Sequence, residues 1–198
     1  MTVATFTVAE TGDDGNVRGT GLIASGYPPA FADAVDNATS TDVRAAESAG
    51  SYLYREVLLR WDTSALPDDA IISAATLELW ANSISGSSKP LIMEWYTWTP
   101  SMGAGNYSLT PGATANAGVE ISAFTAGQYS VVTLINPTTV SRTGYTGMRI
   151  AVNYASPPGV AETYQATFQT QEGLNPAKLN VTYTVPEGFK NLMLMGVG

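Results

Sequence analysis

The fold turns on residues 51–81, where SYLYREVLLRWD (51–62) leads through DTSALPDDA (62–70) into IISAATLELWA (71–81). The first run puts Leu53, Val57, Leu59 and Trp61 on one face and a mixed, partly charged set on the other, the alternation of a half-buried strand. Asp, Pro and paired acids then make a turn. Alternation resumes through Leu77, Leu79 and Ala81, which predicts a second strand.

The same period appears outward from this pair. TVATFTV (2–8) alternates Val3, Thr5 and Thr7 with Ala4, Phe6 and Val8, a short first strand. LIMEWYTWT (91–99), VEISAF (119–124), YSVVTLI (129–135), TGMRIAVNY (146–154), TYQATFQT (163–170) and KLNVTYTV (178–185) are further strand candidates. Loops are expected at TGDDGN (11–16), NSISGSSKP (82–90) and PSMGAGNYSLTPGATANAG (100–118), all rich in Gly, Pro, Asn and Ser. Residues 12–51 carry few large apolar side chains and read as a long, partly irregular segment, with FADAVDNA (31–38) a candidate short helix. Eight or more strands with long connections and no sustained helical period predict an all-β, antiparallel β-sandwich or jelly roll. The sandwich is expected over 1–185. Residues 186–198 form an appended apolar tail with Phe189, Leu192, Met193, Leu194 and Met195.

Composition agrees with a pleated, turn-rich chain. The 198 residues include 19 Gly, 11 Pro and 40 Ser plus Thr against 3 Lys and 6 Arg, whereas a helical protein spends more Glu, Lys and Leu on its exposed faces. The sequence has no His and no Cys, which excludes Ser-His-Asp triads, thiol enzymes and the usual zinc sites. A net charge of −8 argues against nucleic acid as a partner, because such binding draws its affinity from Lys and Arg on phosphates. That charge is lopsided: residues 1–78 hold 12 acids and 4 bases, residues 79–198 hold 5 of each. No apolar run approaches the ~18 residues of a membrane span. The start, MTVATFTVAE, lacks the basic and apolar regions of a signal peptide, so synthesis and retention in a cytoplasm are expected.

Residues 55–80, REVLLRWDTSALPDDAIISAATLELW, resemble the central signature of DNRLRE-type β-sandwich domains: Arg, two apolars, a basic residue, an aromatic and Asp, then Ser-Leu-Pro-like and Ser-Ala-Thr-Leu elements. ATFQTQEGLNPAKLNVTY (166–183) is similar to that family's closing strand pair. Residues 100–160 match only in loose pattern, and the family's usual Asn-Tyr-Gly loop is missing. The resemblance implies a jelly-roll sandwich akin to carbohydrate-binding modules and carries no catalytic residues.

Candidate sites are few. Asp62 suits a backbone cap at its turn, and Arg55 or Arg60 is placed to pair with Glu78 on a neighbouring strand. Asp13–Asp14 and Asp68–Asp69 read as solvated turns; Asp13 and Asp14 are also weak candidates for a structural Ca²⁺, the one cofactor considered. Glu94, Glu120, Glu162 and Glu172 show no motif pairing two of them across a groove, so no enzyme is expected. Trp95, Tyr96, Trp98 and Tyr107 are the candidate ligand-binding residues, rings that stack on sugar faces if exposed and join the core if not. The tail residues from Phe189 to Met195 are the candidate subunit-interaction residues, because a free apolar tail invites aggregation. The leading expectation is a non-enzymatic virion protein, a capsid decoration (cement) or tail accessory protein made in the host cytoplasm. Its partners would be capsid or tail subunits and further copies of itself, with a trimer suggested by fold analogy alone. The alternative is a carbohydrate-binding module with a glycan as partner.

Overall fold

The computed structural model describes residues 1–186 apart from 11, 37, 38, 99–101, 108, 109, 111, 154 and 156. The tail residues Phe189, Leu192, Met193, Leu194 and Met195 lie outside the described residues. The chain folds as an all-β antiparallel sandwich. Its strands are β1 (Thr2–Thr7), β2 (Asp14–Leu22), β3 (Ala34–Asp36), β4 (Ser40–Ser48), β5 (Ser51–Asp62), β6 (Ile71–Gly86), β7 (Pro90–Trp95), β8 (Ala113–Glu120), β9 (Gln128–Leu134), β10 (Tyr145–Val152), β11 (Thr163–Gln169) and β12 (Lys178–Thr184).

The two long strands of the deciding stretch organise the rest by changing partners midway. On one edge of β6, residues 71–78 pair with β12 and residues 81–86 with β11, while β9 occupies the other edge. On one edge of β5, Ser51–Arg55 pairs with β4 and Val57–Asp62 with β10, while β2 runs along the other edge. β11 and β4 pair with each other and so join the two groups. The hydrogen-bonded path runs β1-β12-β6-β11-β4-β5-β10-β7-β8 and curls so that its inner faces enclose one core. The indole of Trp61 crosses that core to donate to the Ala177 carbonyl at 3.2 Å.

β5 is covered on both faces. Val57, Leu59 and Trp61 are buried, as the alternation predicts, but so are Tyr54, Glu56, Leu58 and Arg60 on the other side. This corrects the half-buried reading: the segments after β2 and β7 fold back over the outer face, where Tyr54 meets Tyr27 and Tyr107 edge to face.

The segment 12–51 carries the strands β2, β3 and β4 and is irregular only in parts, chiefly over 23–33, and residues 34–36 are a strand and not part of a helix. β2 reads DGNVRGTGL, with Gly at three of nine positions, so no apolar alternation marks it. Packing explains the glycine at 19: a Cβ there would lie 2.8 Å from the Phe31 carbonyl oxygen and 3.0 Å from the Tyr107 hydroxyl. The expected loop 82–90 is likewise strand as far as Gly86, where Ser83 and Ser85 face solvent opposite β11.

Candidate functional site

Beyond Trp95 the chain leaves β7 and crosses the outer face of β10. Tyr96 N–H donates to the Gly147 carbonyl at 3.0 Å, and the Trp98 ring lies against Gly147. A Cβ at residue 147 would stand 2.2 Å from the Tyr96 carbonyl oxygen, so glycine is what lets this segment lie down. Trp98 Nε1–H donates to the Leu59 carbonyl at 3.4 Å, and Tyr107 O–H to the Pro29 carbonyl at 2.7 Å. Both residues are buried. Of the two readings left open for these rings, Trp98 and Tyr107 take the core one: they seal the outer face of β5, their polar edges already bonded to backbone.

Two buried arginines anchor the same face. Arg60 donates to Asp13 through Nε at 2.9 Å and also through Nη2, and its guanidinium lies 5.1 Å from the Trp98 ring centre and 4.1 Å from that of Tyr145. Arg149 donates to Glu94 through Nε at 2.9 Å and also through Nη2, which reaches the Thr110 carbonyl as well at 2.8 Å. Glu56 sits 3.8 Å from Arg149, and the Tyr96 ring centre 5.1 Å from its guanidinium. Burial would depress the Arg149 pKa, but Glu56 and Glu94 together hold it above the usual guanidinium value.

Several expected pairings are corrected. Arg60 goes to Asp13 and Arg55 to Asp42, while Glu78 pairs with Lys178 at 3.6 Å and accepts from Asn180 at 2.8 Å. Asp13 and Asp14 are buried and not a solvated turn. Asp13 is taken by Arg60, and no group of three metal-ligating side chains occurs among the described residues, so the Ca²⁺ candidates Asp13 and Asp14 are not joined into such a group. Asp14 accepts the Gln171 N–H at 2.7 Å through Oδ2, whereas its Oδ1 has no hydrogen-bond partner. Desolvation by burial pushes the Asp14 carboxyl up to about 7, opposed by the Gln171 N–H and reinforced by Glu172 and Asp13. Asp62 caps its turn as expected, accepting the Ser64 N–H at 3.0 Å; the Ser64 hydroxyl and N–H hold its carboxyl below the usual range.

A concavity lies where the 95–97 segment meets residues 139–147. It is a cleft of about 290 Å³ with rings from Trp95, Tyr96 and Tyr145 and hydroxyls from Thr97, Thr139, Ser141 and Thr146. Trp95 Nε1–H is fixed on the Ile135 carbonyl at 3.0 Å, and Tyr96 O–H on the Asn106 carbonyl at 3.1 Å. Ser141 Oγ accepts the Thr143 N–H at 3.3 Å, which leaves its own proton to donate elsewhere. This lining offers rings and hydroxyls and no carboxylate, amine or imidazole. It can hold a neutral polar molecule between ring faces and hydroxyls. Sequence reasoning picked out Trp95 and Tyr96; Tyr145 opens β10, Thr139 ends a short 3-10 turn and Ser141 lies between them, and only the pairing of β10 with β7 brings them across.

No protein-family model matches the chain, and no curated protein matches it either.

Proposed function

We propose that this chain is a non-enzymatic structural subunit of a virus particle, a capsid decoration or tail accessory protein that binds other subunits and further copies of itself. The observation that carries the reading is the apolar rim at one free edge of the sandwich. Among the described residues β3 pairs only with β2, and around this edge Phe31 is 82% exposed, Leu22 64% and Ile23 41%, with Val35 partly exposed on β3 itself. Unpaired edge groups beside large apolar side chains form a surface that another chain can extend and cover. The buried arginine pairs support the reading too, since they lock the loops in place. The test is immunogold microscopy, with antibody to the purified chain, on phage particles produced by cells carrying this gene. Label on particles is expected, lost with Phe31→Asp and Leu22→Asp together; particles without label overturn the reading.

A second reading, favoured by the cleft, is a module that binds a neutral sugar ring. Rings give apolar faces, hydroxyls give paired donors and acceptors, and about 290 Å³ sits at the small end of ligand pockets. Titrating simple hexoses and following tryptophan fluorescence should give saturable binding that Tyr145→Ala weakens at least tenfold. No response to any neutral sugar removes this reading and leaves the first untouched.

A further inference from the structure

Arg18, Arg55 and Arg44 stand side by side on three neighbouring strands. Arg55 of β5 is the direct antiparallel partner of Arg18 on β2 and of Arg44 on β4. Directly opposite residues share one face of a sheet, and adjacent strands lie about 4.8 Å apart, so the three form one row about 10 Å long. Like charges facing each other across strands destabilise a sheet unless something compensates them.

Two of the three charges are balanced from within. Arg18 donates through Nε to Asp33 at 3.1 Å, and Arg55 through Nη1 to Asp42 Oδ1. Asp42 has no oxygen to spare for Arg44: its Oδ2 accepts from Gln165 at 2.9 Å, and Gln165 in turn accepts from Ser85 at 3.3 Å. Arg44 makes no hydrogen bond or ion pair with the described residues. Every other described arginine and lysine meets a carboxylate, a backbone carbonyl or an aromatic ring. In a chain with 17 acids and 9 bases, an arginine that no acid pairs is the exception. Its stem is nonetheless packed. The Nε atoms of Arg44 and Arg55 are both buried without a hydrogen-bond partner, whereas the terminal nitrogens of Arg44 are not buried and reach water.

We infer that Arg44 and Arg55 form a binding site for a small oxyanion, a phosphate, sulfate or carboxylate group that lies against both guanidiniums and relieves their repulsion. A planar guanidinium presents its N–H groups as a fork that matches two oxygens of one such group, which a chloride ion cannot offer. The Arg55 side chain is only 22% exposed, so water screens the attraction less than on an open surface. The inference rests on neither reading above: the cleft beside Tyr145 is lined by neutral residues, and the rim at the β3 edge is apolar.

The test is an NMR titration of the full chain at neutral pH with sodium phosphate and, separately, sodium acetate, each against sodium chloride at matched ionic strength. The Nε–H groups of Arg44 and Arg55 are shielded from water, so their signals can be followed directly. Saturable shifts at both are expected with phosphate, acetate or each of them, at concentrations at least about tenfold below any effect of chloride. Arg142, held on the Ala70 carbonyl, is the internal reference and should not move. Saturation by phosphate alone assigns a tetrahedral ligand and by acetate alone a carboxylate. Equal, non-saturating shifts with all three salts overturn the inference. Arg44→Gln then separates binding from folding. In chloride its melting temperature should equal or exceed that of the wild type, because a like charge has gone, and the rise that saturating phosphate or acetate gives the wild type should be lost. A clear fall in chloride, or a rise retained in the variant, also overturns the inference.

Discussion

Arg60 and Asp13, 47 residues apart in sequence, are bound to each other inside the protein, at 5% and 3% exposure. The pair links the residue before β2 to the end of β5 and carries the Trp98 and Tyr145 rings on the guanidinium. A buried charge left without its partner costs far more than the pair contributes over apolar replacements. Asp13→Ala should therefore destabilise the fold by about 3–5 kcal/mol, whereas Asp13→Leu with Arg60→Met should recover most of the loss. Urea denaturation of wild type, single and double variants measures both.

Asp14 lies next in sequence and makes stability depend on pH. Its carboxyl, at 3.8 in the unfolded chain and about 7 when folded, binds its proton more tightly in the native state. Between those values the native protein holds more protons than the unfolded one, so stability from this group falls as pH rises from about 4 to 7 and stays low above. The difference corresponds to on the order of 4 kcal/mol. Asp14→Asn keeps an oxygen for the Gln171 N–H and removes the charge. It should raise the melting temperature at pH 8 and leave it nearly unchanged at pH 4; an equal shift at both would show that the carboxylate is not ionised at cost.

How much of this was legible depended on side-chain size. β5 announced itself because Leu53, Val57, Leu59 and Trp61 share one face, interrupted only by Arg55. β2, paired to it along nine residues, did not, because Gly15, Gly19 and Gly21 stand where apolar side chains would mark a strand. At Gly19 the bulk that fills the gap is supplied by Tyr107, 88 positions away, and a local pattern cannot show it. The aromatic cluster at Trp95 to Tyr107 was equally visible as composition, yet its exposure depended on a second cover over β5. Alternation counts two faces; it does not say that both are covered.

Gly147 tests that cover directly. A methyl group there must displace the Tyr96 carbonyl, which sits 2.2 Å from the ideal Cβ position. Overpacking of this kind costs about 1–3 kcal/mol. Gly147→Ala should lower stability by that amount and also shift tryptophan emission to the red, as Trp98 loses its seat. Loss of stability with unchanged emission would place the strain elsewhere.

Arg149 is the other clamp, and its geometry matters more than its charge. Nε and Nη2 grip Glu94, Nη2 also holds the Thr110 carbonyl, and Glu56 lies 3.8 Å away from a guanidinium that is 1% exposed. Lysine keeps the charge but presents a point donor on a flexible stem, so it cannot serve Glu94 and Thr110 together. One of the two buried carboxylates then lacks adequate compensation, and the strap from Tyr96 to Thr110 loses its tie to the sheet. Arg149→Lys should cost about 2–4 kcal/mol, toward the lower end of breaking a buried pair. Before global unfolding, the strap should open: limited chymotrypsin should cut at Tyr107, buried in the native fold, at least tenfold faster than in the wild type. If cleavage at Tyr107 accelerates no more than cleavage in β5, the arginine stabilises the sandwich as a whole and the strap is held by Trp98 and Tyr107 alone.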